Sequence, residues 1–302
     1  MNGILLIDKP EGFTSFDVIA VVRKLTSQRK TGHTGTLDPN ATGVLPVLLG
    51  SATKAQDLIP NHDKSYRAEF ALGTRTDTLD IWGKVLEQKE THITRDELVE
   101  KLRDFRGEIE QLPPMFSAVQ KDGQRLYDLA RKGIEVEREK RRVKIYRLEL
   151  TGFDEEKQSG TLEVSCSRGT YIRSLIDDLG KALGHCAVMT ALRRTEACGY
   201  KLEDCAPLER LRQMSAEDIA ALVRPTESLF CSYPSVSVTQ NQAKRFKNGG
   251  ALDISRTELR GRVVPDKSVF RIKGSDGGFL GLGITDSESG LIKIYKLFSE
   301  KN

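Results

Sequence analysis

No stretch of these 302 residues approaches the ~20 consecutive apolar positions that a bilayer-spanning helix needs. The first residues lack the basic start, apolar core and small-residue cleavage site of a secretory signal. Cysteine is scarce. The five, Cys166, Cys186, Cys198, Cys205 and Cys231, are odd in number and include no C-x-x-C pair. That argues against a disulfide scaffold and against a structural zinc site. No internal repeat and no low-complexity segment interrupts the chain. These absences predict a reduced, cytoplasmic protein without a metal.

A large excess of charge of one sign is missing too, but the modest net +4 is unevenly spread. From Lys121 to Arg147 there are ten Lys/Arg against five Asp/Glu, and from Gln240 to Lys273 nine against three. The remainder therefore carries −7. Two basic segments on an acidic body predict two contact zones for a polyanion. Hydrophobic residues at 38% and charged residues at 30% suit a well-solvated protein with one large core and a small satellite domain.

Periodicity places the elements. Asn2 to Asp8 reads as a short buried strand. Ser15 is the expected N-cap of a helix whose apolar stripe runs through Phe16, Ile19, Ala20 and Val22. A second helix is expected over Ser51 to Ile59, a strand over Ser65 to Leu72, and an amphipathic helix over Thr94 to Arg106 with Leu98, Leu102 and Phe105 inward. Leu162, Val164 and Cys166 alternate with polar neighbours as a half-buried strand does. Thr170 is the expected cap of the next helix, whose core stripe is Ile172, Leu175, Ile176, Leu179 and Leu183. The helical pattern stops around Ser228 to Pro234. Short strands are then expected at Ser235 to Val238, Val263-Val264, Val269 to Ile272 and Phe279 to Ile284. Mixed order and alternating strands favour antiparallel α+β over a doubly wound sheet.

The most informative segment is Thr31 to Leu45, TGHTGTLDPNATGVL, with one acidic residue, Asp38, among three glycines, four threonines and a proline. Gly and Pro break a helix, and no strand alternation is present. The segment reads as a shaped loop, with glycine for close backbone approach and Asp-Pro for a turn. His33, a polar aromatic beside the glycines, is a candidate for RNA contact.

This loop closely resembles the signature loop of the tRNA pseudouridine synthase B family, where the aspartate is catalytic. Further segments resemble the family's motifs in its order: LLIDKPEGFTSFDV (Leu5 to Val18), Lys64-Ser65-Tyr66, GTRTDTLDIWG (Gly73 to Gly83), CSRGTYI (Cys166 to Ile172) followed by Arg173, and Leu192-Arg193-Arg194. Leu112 to Val143 is similar to the family's RNA-gripping thumb. Arg245 to Leu252, RFKNGGAL, is a less specific likeness to a PUA domain. The resemblance implies a mixed, mainly antiparallel central sheet with helices and a thumb insertion over 1–230. A small β-barrel-like PUA domain over 231–302 would follow it.

It further implies an isomerase that turns uridine into pseudouridine in the T-loop of tRNA, at tRNA position 55. That reaction breaks C1′–N1, turns the base and joins C1′ to C5; it needs a carboxylate but no cofactor. A uridine in a structured loop must first be flipped out. Asp38 is the expected carboxylate, Arg173 its ion-pair partner, and Tyr66 a ring that stacks on uracil while its hydroxyl handles a proton. Tyr171 and Leu192 are assigned to the base pocket by resemblance alone. His33 stacks or bonds in the vacated space, and Lys9 and Lys64 bind phosphate or brace the loop. Arg125, Tyr127, Arg131 and Lys132 of the thumb are expected to grip RNA, with Asp122-Gly123 a tight turn at its tip. The expected partner is tRNA, through its T-arm and acceptor stem, met by a monomer with no obligate protein partner. Two other readings stand beside this one. A retaining glycosidase or nucleoside hydrolase would need a second carboxylate, Asp77 or Asp80, near Asp38. A non-catalytic RNA-binding or tRNA-folding module would use Asp38 only to hold the loop.

Overall fold

The computed structural model describes residues 1–298. A ten-stranded sheet forms its centre, in the order Ala206–Pro207, Gly3–Lys9, Thr42–Leu49, Ala187–Ala197, Lys64–Leu72, Ser159–Cys166, Arg141–Asp154 and Gly107–Gln111. Two short strands, Thr31–His33 and Tyr200–Lys201, join it off this path. Two of its pairings are parallel and the others antiparallel, so the fold is α+β around a mixed, mainly antiparallel sheet.

One face of this sheet buries Phe70, Leu162, Val164 and Cys166 against two helices, Arg95–Leu102 and Ile172–Ala182. The expected stripe Ile172, Leu175, Ile176 and Leu179 is fully inward, with Leu183 packed at its margin. The helix needs no hydroxyl cap: Thr170 bonds to the Ser167 carbonyl instead, and Tyr171 takes the cap position. The first helix, Ser15–Thr26, starts one residue earlier than expected, because Thr14 and Asp17 form a reciprocal capping box. Its inward stripe is Ser15, Val18, Ile19 and Val22, whereas Phe16 and Ala20 face outward. Residues 51–59 form a short 3₁₀ helix, Gly50–Ala55, rather than two α-helical turns. The 95–105 helix ends at Leu102 and tightens to a 3₁₀ turn through Phe105.

A second sheet of five strands curls into a half-barrel in the order Ser235–Ser237, Val269–Lys273, Phe279–Asp286, Leu291–Leu297 and Leu252–Asp253. Val263 is not in a strand but wholly exposed, and the strand Leu291–Leu297 was not anticipated. Nor was the helix Gln240–Lys247, which buries one large side chain, Phe246, under a capping box of Thr239 and Gln242. The two sheets meet at Phe230, whose ring packs on Tyr233, Phe279 and Phe298. Beside it Glu227 binds Arg271 at 2.7 Å and Lys273 at 3.2 Å.

Candidate active site

The segment expected to be all loop is strand at both ends: Thr31–His33 pairs with Thr42–Leu49, and only residues 34–41 bulge out. Buried side chains lash this bulge to the body. Arg194, fully buried, donates to the carbonyls of Val44 (2.7 Å), Gly35 (3.1 Å) and Thr36 (3.3 Å). The Ser15 hydroxyl accepts from Leu37 N–H at 2.9 Å. Lys9 donates to the Pro39 carbonyl at 2.9 Å and Gly12 N–H to the same oxygen at 3.0 Å. Gly43 is required where the bulge rejoins the sheet: its φ is +104°, and a Cβ there would meet the Arg194 carbonyl at 2.1 Å.

Asp38 projects from the tip. Its carboxylate is 3.0 Å from Arg173 Nε. The same guanidinium, 5% exposed as a residue, donates from Nη1 to the Thr78 carbonyl (3.0 Å) and from Nη2 to the Phe116 carbonyl (2.9 Å). Its three nitrogens therefore tie together the signature loop, the Thr-Asp-Thr stretch and the root of the thumb.

A cavity of about 270 Å³ opens beside this pair. It is lined by Asp38, Arg173, Tyr66, Lys64, Tyr171 and Leu192, so six of the expected site residues, drawn from distant parts of the chain, come together. Tyr66 sits on the strand Lys64–Leu72 beneath the bulge; burial pushes its hydroxyl up to about 12, against which the neighbouring Arg194 guanidinium works. Burial, and then the charge of Arg194, hold the Lys64 ammonium below its ordinary value. Lys64 donates to the His62 carbonyl at 2.8 Å. Gln111 fixes Tyr171 by clamping its backbone, accepting from its N–H (2.9 Å) and donating to its carbonyl (3.1 Å).

Other expected residues lie elsewhere. Lys9 is not free to meet a substrate: it is fully buried with both bonds on loop carbonyls, and burial lowers its ammonium to about 8. It braces the loop. His33 does not line the cavity; its ring is edge-on to exposed Phe16 at 5.6 Å. Its buried Nδ1 has no partner among the described residues, and burial lowers its pKa. Arg125, Tyr127, Arg131 and Lys132 form a separate projection: a small hairpin turning at Asp122-Gly123, then the helix Leu126–Arg131, with Arg131 over the Tyr127 ring at 5.3 Å.

Asp77 and Asp80 do not face Asp38 across the cavity. Asp77 accepts from Lys84 N–H (2.8 Å), and Asp80 accepts from Thr78 Oγ1 (2.7 Å) and lies 3.9 Å from Arg173. Neither lines the cavity, although Asp80 shares the Arg173 guanidinium with Asp38 and burial, opposed by the Thr78 bond and Arg173, raises its pKa. Among the described residues no three His, Cys, Asp or Glu side chains gather to hold a metal, and no helix is long and apolar enough to cross a membrane. Arg194 and Gln111 were the organising residues that sequence reasoning missed. The only sequence signal for Arg194 was its place in the Leu-Arg-Arg motif, and Gln111 had none.

Residues 23–172 match the family model described as TruB family pseudouridylate synthase (N terminal domain), and residues 173–230 that of the tRNA pseudouridylate synthase B C-terminal domain. A tRNA pseudouridine synthase B of Lactobacillus delbrueckii subsp. bulgaricus is 44% identical over 90% of this chain and 95% of its own length. One of Clostridium perfringens is 40% identical over the whole of both chains, and one of Escherichia coli 40% identical over 95% of this chain and 92% of its own. Among solved structures, a Cbf5-Nop10-Gar1 complex contains a similar chain at 26% identity, TM-score 0.73, covering 98% of this chain and 85% of the other. An H/ACA ribonucleoprotein bound to a substrate RNA contains another with the same fold, at 23% identity and TM-score 0.72 over 99% and 85%. With two family models matched over residues 23–230 and identity near 40% from end to end, the chain belongs to the tRNA pseudouridine synthase B family.

Proposed function

We propose that this protein is an isomerase that converts a uridine of tRNA to pseudouridine, with Asp38 as the catalytic carboxylate. The observation that carries the reading is the Asp38–Arg173 pair at 3.0 Å on the wall of a cavity shared with Tyr66 and Leu192, in a chain of this family. The reaction is an isomerisation: C1′–N1 breaks, the base turns, C1′–C5 forms, the C5 hydrogen leaves as a proton, and N1 takes a proton up. Arg173 aims the carboxylate and sets a fixed positive charge beside it, an electrostatic preorganisation that costs no rearrangement at the moment of reaction. Tyr66, holding its proton at neutral pH, supplies a stacking ring and a proton donor. Leu192 and Tyr171 enclose the base.

The substrate uridine is that of the T-loop, tRNA position 55, flipped out of the RNA to reach C1′. His33 meets the space it vacates. Arg125, Tyr127, Arg131 and Lys132 grip the T-arm, and residues 231–302 act as a PUA-like module on the acceptor stem. There Lys244 and Lys247 line a groove of the second sheet. The enzyme works in the cytoplasm as a monomer.

Tritium release from a T-arm RNA carrying 5-³H uridine tests this, because the new bond expels the C5 hydrogen. Wild type should release label, and Asp38→Ala should release none while binding the RNA as tightly. Tight binding without release by wild type would refute the catalytic reading and leave an RNA-binding or tRNA-folding module.

A further inference from the structure

We propose that Tyr146, flanked by Lys144 and Arg168, is a stacking shelf beside the Asp38 cavity that takes the nucleotide next to the reacting uridine. This rests on the function proposed above and adds a contact surface for the same RNA. The strand Arg141–Asp154 breaks register with Ser159–Cys166 between Ile145 and Arg147, so Tyr146 has no residue opposite it. Such a bulge re-aims a side chain, and bulges are over-represented beside active sites. Here it turns two successive residues, Tyr146 and Arg147, outward after the inward Val143 and Ile145.

Tyr146 is 49% exposed as a residue, yet its ring is held. Its hydroxyl donates to Asp63 Oδ1 at 3.2 Å, and the Lys144 ammonium lies 5.7 Å from the ring centroid. An exposed ring already fixed at its tip loses little further freedom when a base stacks on it.

Chain continuity ties this shelf to the cavity at two points. Asp63 is followed by Lys64, and Arg168 by Gly169 and Thr170; Lys64, Gly169 and Thr170 all line the cavity. Arg168 is exposed, makes no hydrogen bond or ion pair among the described residues, and acts electrostatically on His62. Glu108 is the register partner of Lys144 in the strand ladder, and the Lys144 ammonium itself sits over the Tyr146 ring. Arg168 is therefore the cation left for a phosphate. A half-exposed aromatic ring, with an unpaired guanidinium one residue beyond Ser167, which bonds the Lys144 backbone, is the chemistry that recognises unstacked RNA, the base on the ring and the backbone on the cation.

Affinity for a T-arm RNA, measured alongside single-turnover tritium release, separates the possibilities. Tyr146→Ala should raise Kd about ten-fold, toward the lower end of what one base–aromatic stack contributes. Tyr146→Phe keeps the ring and should stay within about three-fold of wild type. Arg168→Gln should weaken binding and reduce the slope of log Kd against log salt by about one phosphate contact, ~0.7. These losses belong in Kd and not in the rate at saturating RNA. A wild-type Kd for Tyr146→Ala would overturn the shelf. So would an equal loss in Tyr146→Phe, which would assign the tyrosine to packing through Asp63. Binding by wild type without tritium release would instead overturn the proposed function, and the binding comparison would still read the shelf.

Discussion

Arg173 and Tyr66 show how single side chains set the chemistry available at the cavity. The Arg173 guanidinium spends each nitrogen on a different chain segment, a geometry that the point charge of lysine cannot reproduce. Arg173→Lys reaches at most one of the three partners. Losing one charge-assisted contact to Asp38 should slow single-turnover tritium release roughly 10- to 100-fold, with RNA affinity nearly kept. Turnover close to wild type would show that Asp38 needs no such partner. Tyr66 makes a different prediction, about pH. Its hydroxyl ionises near 10.0 when unfolded and about 12 when folded, so between those values the folded state binds the extra proton. Stability supplied by the neutral, buried phenol is therefore complete below pH 10 and is lost as pH rises from 10 toward 12. Unfolding midpoints in denaturant at pH 9 and pH 11.5 should fall less for Tyr66→Phe than for wild type. Equal falls would place the phenol in contact with solvent.

At the scale of elements, legibility in the sequence followed the kind of partner each residue has. Leu162, Val164 and Cys166, or Leu175, Ile176 and Leu179, answer to one slab of core, and a period of two or of 3.6 reveals them. The helix Gln240–Lys247 escaped because it buries only Phe246, and the strand Leu291–Leu297 because Lys293 and Lys296 interrupt its apolar positions. Thr14 and Thr170 show that a hydroxyl near a helix start identifies a region but not a cap, since Thr170 prefers a carbonyl three residues back. Six site residues were legible because motifs name them. Arg194 was not read as an organiser because its partners are backbone carbonyls of a loop 150 or more positions away, which no local pattern encodes. The bulge it holds is correspondingly brittle. Gly43→Ala should cost at least several kcal/mol, from a strained φ and a Cβ driven against the Arg194 carbonyl. Thermal melting of the purified variant measures this, and a melting temperature within a degree or two of wild type would mean the two strands can part without consequence.

For the whole molecule, the decisive feature is that two sheets share one aromatic joint. Phe230 is fully buried between Tyr233, Phe279 and Phe298, so the catalytic body and the second sheet are packed rather than strung together. Phe230→Ala should lose about 3–5 kcal/mol and open the segment between Phe230 and Ser235 to limited proteolysis. A variant as resistant as wild type would mean that Glu227 with Arg271 and Lys273 holds the joint unaided. The Arg173 linkage also reaches this scale. Because Phe116 lies near the start of the thumb-like segment, one guanidinium joins that segment to Asp38. An RNA that shifted the Phe116 carbonyl would act on the same guanidinium that holds the Asp38 carboxylate. Under the proposed function, discrimination among RNAs would be read in the speed of the chemical step as well as in the tightness of the grip, and a mismatched transcript would dwell on the surface without being isomerised.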